Sequence, residues 1–236
     1  MVCANTSLKL NFKLGGTNHT VKGESWGGAL ADTIIVCADV GHVPKDSDSG
    51  CPSISSVVAT QDAENKSQFI AGLASMIEER VLAYNTNMKK LPQNMLFYRN
   101  EINESQYGMA YSDEVPLIKK GRKTTDWTRK ITVIVVGKGY HPRFFPDQSR
   151  NLNHFSAEAA DKERKKNIEE GLVIEHSTVY PTHLNFYLQS HNSPDGIVRS
   201  AYYVVIYDEF NYTLEQLQSI VSNHSPGHLY SRENGF

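Results

Sequence analysis

The sequence predicts an α/β domain built on a mixed sheet, and three observations carry that expectation. Short β-branched runs recur along the chain, in ADTIIVCADV, SISSVVAT, NMLFY and ITVIVV, each with the length and composition of a buried strand. Between the second and third runs, Phe69, Ile70, Leu73, Met76, Ile77, Val81 and Leu82 recur at helical spacing, which predicts a helix over Ser67–Tyr84. Strands interleaved with helices form a sheet whose functional groups gather beyond the carboxyl ends of strands.

The remaining elements follow in order. Ser7–Lys13 (SLKLNFK) alternates apolar and polar residues before Gly15 and Gly16, and reads as a half-buried strand entering a turn. Lys22–Leu30 is a Gly-rich connector, and VPKDSDSGCP is a polar loop between the first two buried strands. Asp147–Glu170, with DKERKKNIEE, reads as a solvated loop or surface helix. Strands are expected at Gly171–Glu175, His183–Gln189 and Ala201–Tyr207, then a closing helix at Thr213–Val221.

With 236 residues, 39% apolar and 21% charged, the chain can bury one sizeable core and fits a single domain. A net charge of -2 neither demands nor excludes a polyanionic partner, so a nucleic-acid argument must rest on local patches. Cys3, Cys37 and Cys51 have neither metal-site spacing nor an even count, which fits a reducing compartment. No apolar run is long enough to span a bilayer and the N-terminus lacks a signal-peptide pattern. Cytoplasm, or nucleus, is the expected location, with no membrane partner.

Asp39 stands where the run TIIVCA stops being apolar, a position where an α/β sheet presents a carboxylate to a cleft. Alone, such an Asp more often closes a turn. Glu104, by itself, reads as a helix N-terminal carboxylate, and Asp126 as a solvated charge among basic neighbours. Their surroundings change the reading. KLGGTNH, CADVGH followed by PSISSVVATQD, FYRNEINESQY, KITVIVVGKGYHPRFF, and NFYLQSH with GIVRSAYYVV occur in one order over nearly the whole chain. In that order they resemble segments of the PIWI domain of Argonaute proteins.

The resemblance implies a ribonuclease-H-like fold, a mixed central sheet flanked by helices, that holds a small guide RNA and, in slicing members, cleaves the paired target RNA. It divides the chain into a remnant of the segment joining the domain for the guide 5′ end (1–22), the PIWI domain (23–223) and a divergent tail (224–236). It assigns catalysis to Asp39, Glu104 and Asp126, with Asp39 and Asp126 holding Mg²⁺ or Mn²⁺ and Glu104 swinging in from its loop. Two such cations, about 3.5–4 Å apart, stabilise the attacking and leaving oxygens of a phosphodiester, and hard oxygen ligands suit them. Lys13 matches the family's lysine near the guide 5′ phosphate, Lys9 shares its strand face by a spacing of four, and Lys138, Arg143, His191 and Arg199 match residues along the guide backbone, where cations neutralise phosphates without reading bases. Silencing-complex proteins are the further partners implied.

Departures from the family pattern shape the expected activity. A Thr and a Pro are lost beside Asp39, in Ala38-Asp39-Val40-Gly41-His42-Val43, and both glycines of the glutamate loop are replaced in Tyr98-Arg99-Asn100-Glu101-Ile102-Asn103-Glu104-Ser105-Gln106. Non-Gly residues restrict that backbone, so slicing is expected to be impaired. The family's fourth ligand and C-terminal helix have no counterpart. Only AENKSQ separates Asp62 from Phe69, so an edge strand is expected to be missing; Ser55–Thr60 would then be an open edge and solubility limited. The basic cluster KKGRKTTDWTRK, Lys119–Lys130, reads equally as positive potential beside the cleft or as a solvated helix end. The alternative functions are a non-catalytic protein-interaction module and a degenerate fragment.

Overall fold

A computed structural model describes residues 6–8, 10–11, 14, 16, 33–41, 54–60, 67–70, 73–100, 102–123, 129–137, 142–145, 168, 170–175, 183–190 and 198–224. The chain forms two compact units, the first reaching Val135 and taking in Val205–Asn211, the second running from Val136 to Val204 and resuming at Tyr212.

In the first unit, β1 (Thr33–Gly41), β2 (Ile54–Thr60), β3 (Ser67–Ile70), β4 (Asn94–Asn100) and β5 (Lys130–Gly137) are joined by the end of β8 (Ala201–Asp208), in the order β3-β2-β1-β4-β5-β8. β1 pairs antiparallel with β2 and parallel with β4, with Ile34 opposite Met95, Val36 opposite Phe97 and Ala38 opposite Arg99. Side chains alternate across a strand. One face of the sheet therefore carries Ile34, Val36, Ala38, Met95 and Phe97 into a core completed by Met76, Ile77, Val81 and Tyr84 of helix α1 (Leu73–Met88). Asp39, on the opposite parity of β1, is exposed.

Three expectations are corrected here. The edge strand thought missing is supplied by β3, which pairs antiparallel with β2 from Val57–Ile70 to Thr60–Ser67, so Val57–Thr60 is not an open edge. Residues 67–70, read from Phe69 and Ile70 as the start of the helix, are that strand, and α1 begins at Leu73. Short apolar runs carry no period that separates strand from helix. The expected strand Ser7–Lys13 is helical at residues 6–8, 10 and 11, with the Leu14 N–H donating to the Leu10 carbonyl at 3.0 Å. A helix satisfies its own backbone, whereas a strand needs a neighbour.

The crossover from β4 to β5 is one helical run: a 3-10 turn (Glu104–Gln106), an α-turn (Tyr107–Met109), a π-turn (Ala110–Glu114) and helix α2 (Val115–Lys123). Its buried positions Tyr107, Ala110, Val115 and Ile118 are spaced three, five and three residues apart. A plain helix would rotate the five-residue step off the buried face; the wider π-turn keeps both sides facing inward. Gly121 makes the closest helix approach, since a Cβ there would lie 2.4 Å from the Ala74 carbonyl oxygen on α1.

The second unit contains the start of β8, then β7 (Asn185–Leu188) and β6 (Val173–Ile174), all antiparallel neighbours in the order β8-β7-β6. β6 is shorter than the strand expected over Gly171–Glu175 because Gly171, at φ +88°, turns the chain while its N–H donates to the Gln189 carbonyl at 2.8 Å. Aromatic pairs fill the β7/β8 faces: Tyr187 stacks on Tyr202 at 4.3 Å and Phe186 on Tyr203 at 5.2 Å. Helix α3 (Leu214–His224) buries Leu217, Ile220 and Val221. Thr213 and Gln216 cap it reciprocally, each backbone N–H donating to the other's side-chain oxygen at 2.9 and 3.3 Å.

Candidate metal and nucleic-acid site

Parallel pairing sends β1 and β4 in the same direction, and the last paired position is Ala38 with Arg99. Asp39 is the next residue of β1, and Glu104 opens the 3-10 turn four residues past the end of β4. Both carboxylates therefore stand at the carboxyl end of this strand pair, where α/β sheets place functional groups. Both are exposed. Glu104 is held on a helical turn by a clasp: the Asn103 N–H donates to Gln106 Oε1 at 3.0 Å and the Gln106 N–H to the Asn103 carbonyl at 2.8 Å.

Behind the turn, on the helix-facing side, lies Arg99. It is 7% exposed, its Nε donates to Glu114 Oε1 and Oε2 at 3.1 and 2.9 Å, and its Nη1 donates to the Asn100 carbonyl at 2.7 Å. A buried guanidinium needs such partners, because charge leaves water only when paired.

Asp126 lies outside the described residues. The residues that follow it, Arg129 and Lys130, lead into the amino end of β5. β4 and β5 are neighbours joined by a helical crossover, the connection that parallel neighbours require. β5 thus starts at the end of the sheet opposite to Asp39 and Glu104. The chain meets its first carboxylate beyond the carboxyl end of β5 at Asp147, also outside the described residues.

The amino end of β5 has its own carboxylates, which sequence reasoning did not single out. Asp208 Oδ1 accepts from the Thr132 hydroxyl at 2.5 Å and the Phe210 N–H at 2.9 Å. Glu209 Oε2 accepts from the Ile131 N–H at 2.9 Å, and Oε1 from the Tyr207 hydroxyl at 2.6 Å. Lys119 Nζ lies 3.9 Å from Glu209 Oε1 and 4.2 Å from the Tyr207 ring centroid, and Lys130 lies 5.5 Å from that of Phe210. These two lysines of the basic cluster thus serve the unit's own aromatic rings and carboxylate. Burial and donation to Glu209 push the Tyr207 phenol above its ordinary range, and Lys119 opposes the shift.

Of the six expected phosphate contacts, Lys9, Lys13, Lys138 and His191 lie outside the described residues. The other two are in the second unit. Arg143 is half-buried, with Nη1 donating to the Pro142 carbonyl at 2.9 Å, and its neighbour Phe144 packs edge-on to Tyr187 at 5.1 Å. Arg199 is exposed just ahead of β8, beside Ser200, whose hydroxyl donates to Gln189 Oε1 at 2.7 Å.

The family model for the Piwi domain matches residues 1–233. The chain belongs to that family. Its relatives include protein argonaute 18 of Oryza sativa subsp. japonica, 32% identical over 94% of this chain and 21% of the relative. Protein argonaute 5 of Arabidopsis thaliana is 29% identical over 93% of this chain and 24% of its own length. The Piwi domain described here thus spans between a fifth and a quarter of these relatives. The crystal structure of Kluyveromyces polysporus Argonaute with a guide RNA matches at a TM-score of 0.76 and 22% identity, over 93% of this chain and 28% of that one. The C-terminal lobe of a budding yeast Argonaute matches at 0.75 and 21%, over 93% and 47%. At these identities the likeness shows the fold, the expected ribonuclease-H-like α/β sheet.

Proposed function

We propose that this Piwi domain binds a guide RNA and its paired target through phosphate contacts in RNA silencing, and holds Mg²⁺ or Mn²⁺ at Asp39 and Glu104, with target cleavage slow. The observation that carries the reading is the placement of two exposed carboxylates at the carboxyl end of β1 and β4. A solved structure of the same fold contains a guide RNA. Arg143 and Arg199 supply cations to the RNA backbone.

The donor set fits the ion: carboxylate oxygens suit hard divalent cations. Among the described residues no group of three or more His, Cys, Asp or Glu side chains gathers, so Asp39 and Glu104 are the described contributors. A bound ion would supply charge stabilisation at the phosphodiester's attacking and leaving oxygens. Asp39 offers its oxygens from a paired strand, a rigid support. Glu104 offers its own from a turn clasped by Asn103 and Gln106, which opposes the inward swing of the glutamate and supports slow cleavage. Cytoplasm or nucleus is the proposed location, in keeping with the free thiol of Cys37.

The test is binding of a labelled guide–target RNA duplex at two salt concentrations, followed by incubation with Mn²⁺. Salt-sensitive binding with slow cleavage is expected; rapid cleavage abolished by Asp39→Ala would overturn the impairment. A second reading, a protein-docking module, is favoured by Met109, Tyr111 and Leu117, exposed on one helical run. RNA binding that is absent at low salt would favour it.

A further inference from the structure

The side chains that secure the Glu104 turn are as specific as the turn itself. Arg99 is the last residue of β4 on the helix-facing side, following Met95 and Phe97 by strand alternation. Apolar residues would be expected to continue that row. A buried guanidinium takes the place instead, bonding through Nε to both oxygens of Glu114 and through Nη1 to the Asn100 carbonyl. Glu114 is the last residue of the π-turn, so the ion pair and the π-turn fall at the same point of the helical run.

We infer that Arg99 and Glu114 form a latch that fixes the Glu104 turn at the carboxyl end of β4. Arg99 is a positioning residue, acting on the metal through Glu104. The latch joins the strand to a helical run that begins with Glu104 and is held at its far end by the close approach of Gly121 to Ala74 and Ile77. Between these two fixed points the run cannot slide along the sheet without breaking a part-buried ion pair. The π-turn serves the latch by letting Tyr107 and Ala110 on one side, and Val115 and Ile118 on the other, remain buried. The inference rests on the proposed metal role of Glu104, while the latch as a mechanical device does not.

The experiment therefore has two independent readouts on the full chain, wild type against Glu114→Gln and Arg99→Lys. Amide hydrogen exchange reports the latch: faster exchange is expected over residues 103–114, with residues 76–84 of α1 unchanged, and less acceleration in Arg99→Lys, which keeps the charge. Unchanged exchange over 103–114, or uniform acceleration through α1, overturns the latch. Mn²⁺ titration reports the positioning: Glu114→Gln is expected to weaken Mn²⁺ binding about tenfold, as loss of supporting contacts around a metal does, and to have no further effect in a Glu104→Ala background. Equal weakening in both backgrounds overturns the positioning role. Should Asp39→Ala and Glu104→Ala leave Mn²⁺ affinity at the wild-type value, the metal reading fails, and hydrogen exchange still decides the latch.

Discussion

Two ends of the first unit carry pairs of acidic residues under opposite conditions. At the carboxyl end of β1 and β4, Asp39 and Glu104 are exposed. At the amino end of β5, Asp208 and Glu209 are half-buried and accept bonds from Thr132, Phe210, Ile131 and Tyr207. The second pair shows what a structural carboxylate looks like here: it closes the end of β8 onto the start of β5, and its acceptor capacity is spent within the fold. The first pair is exposed, Asp39 on a strand paired on both sides and Glu104 on a turn beside the Arg99–Glu114 latch.

The contrast can be broken by substitution, and the largest effect belongs to Glu209. Glu209→Ala strips the acceptor from the Ile131 N–H and the Tyr207 hydroxyl and leaves Lys119 without its carboxylate, so a loss of about 2–3 kcal/mol is expected in urea unfolding. Asp208→Ala orphans the Thr132 hydroxyl, which is fully buried, and the Phe210 N–H, for about 1–2 kcal/mol. Neither change should alter Mn²⁺ binding. If either weakens it, the separation of roles between the two ends is wrong.

Tyr207 sharpens the structural half of the comparison. Its phenol is raised above its ordinary value of 10 by burial and by donation to Glu209. A group whose folded value is raised contributes stability that is fully present below its unfolded value and lost as pH rises through the folded one. The wild-type chain should therefore lose stability above pH about 10, and Tyr207→Phe should lose less over the same window. Thermal melting at pH 8 and at successive steps above 10 measures the difference; parallel profiles would remove Tyr207 from the network. The smallest stability effect is expected at the other end, where Glu104→Ala, at an exposed position in the first turn, should stay within about 0.5 kcal/mol of wild type.

How far the sequence could be read depended on which physical signal each segment carried. β1, β2, β4 and β5 were legible because β-branched runs such as TIIV and ITVIVV leave little else possible. β3 was not, since Phe69 and Ile70 also fit the period of the helix that follows. Only the two ends of the helical run after Glu104 were legible, from Glu104 as a helix N-terminal carboxylate and from the basic cluster as a helix end, because its π-turn sets Ala110 and Val115 five residues apart and breaks the 3.6-residue period between them. Of the candidate site, Asp39 was legible from its place at the end of a strand. Asp126 was taken from motif order alone and lies outside the described residues. The Arg99–Glu114 pair was invisible, because its members are fifteen positions apart, one on a strand and the other on a π-turn, and no pattern of spacing joins them.

Mn²⁺ affinity across four variants of the whole chain tests the central claim most directly. Asp39→Ala and Glu104→Ala are each expected to weaken binding by about tenfold or more, equivalent to about 1.4 kcal/mol, while Asp208→Ala and Glu209→Ala are expected to bind as wild type does. Wild-type affinity in Asp39→Ala, or loss of binding in Asp208→Ala, would contradict it.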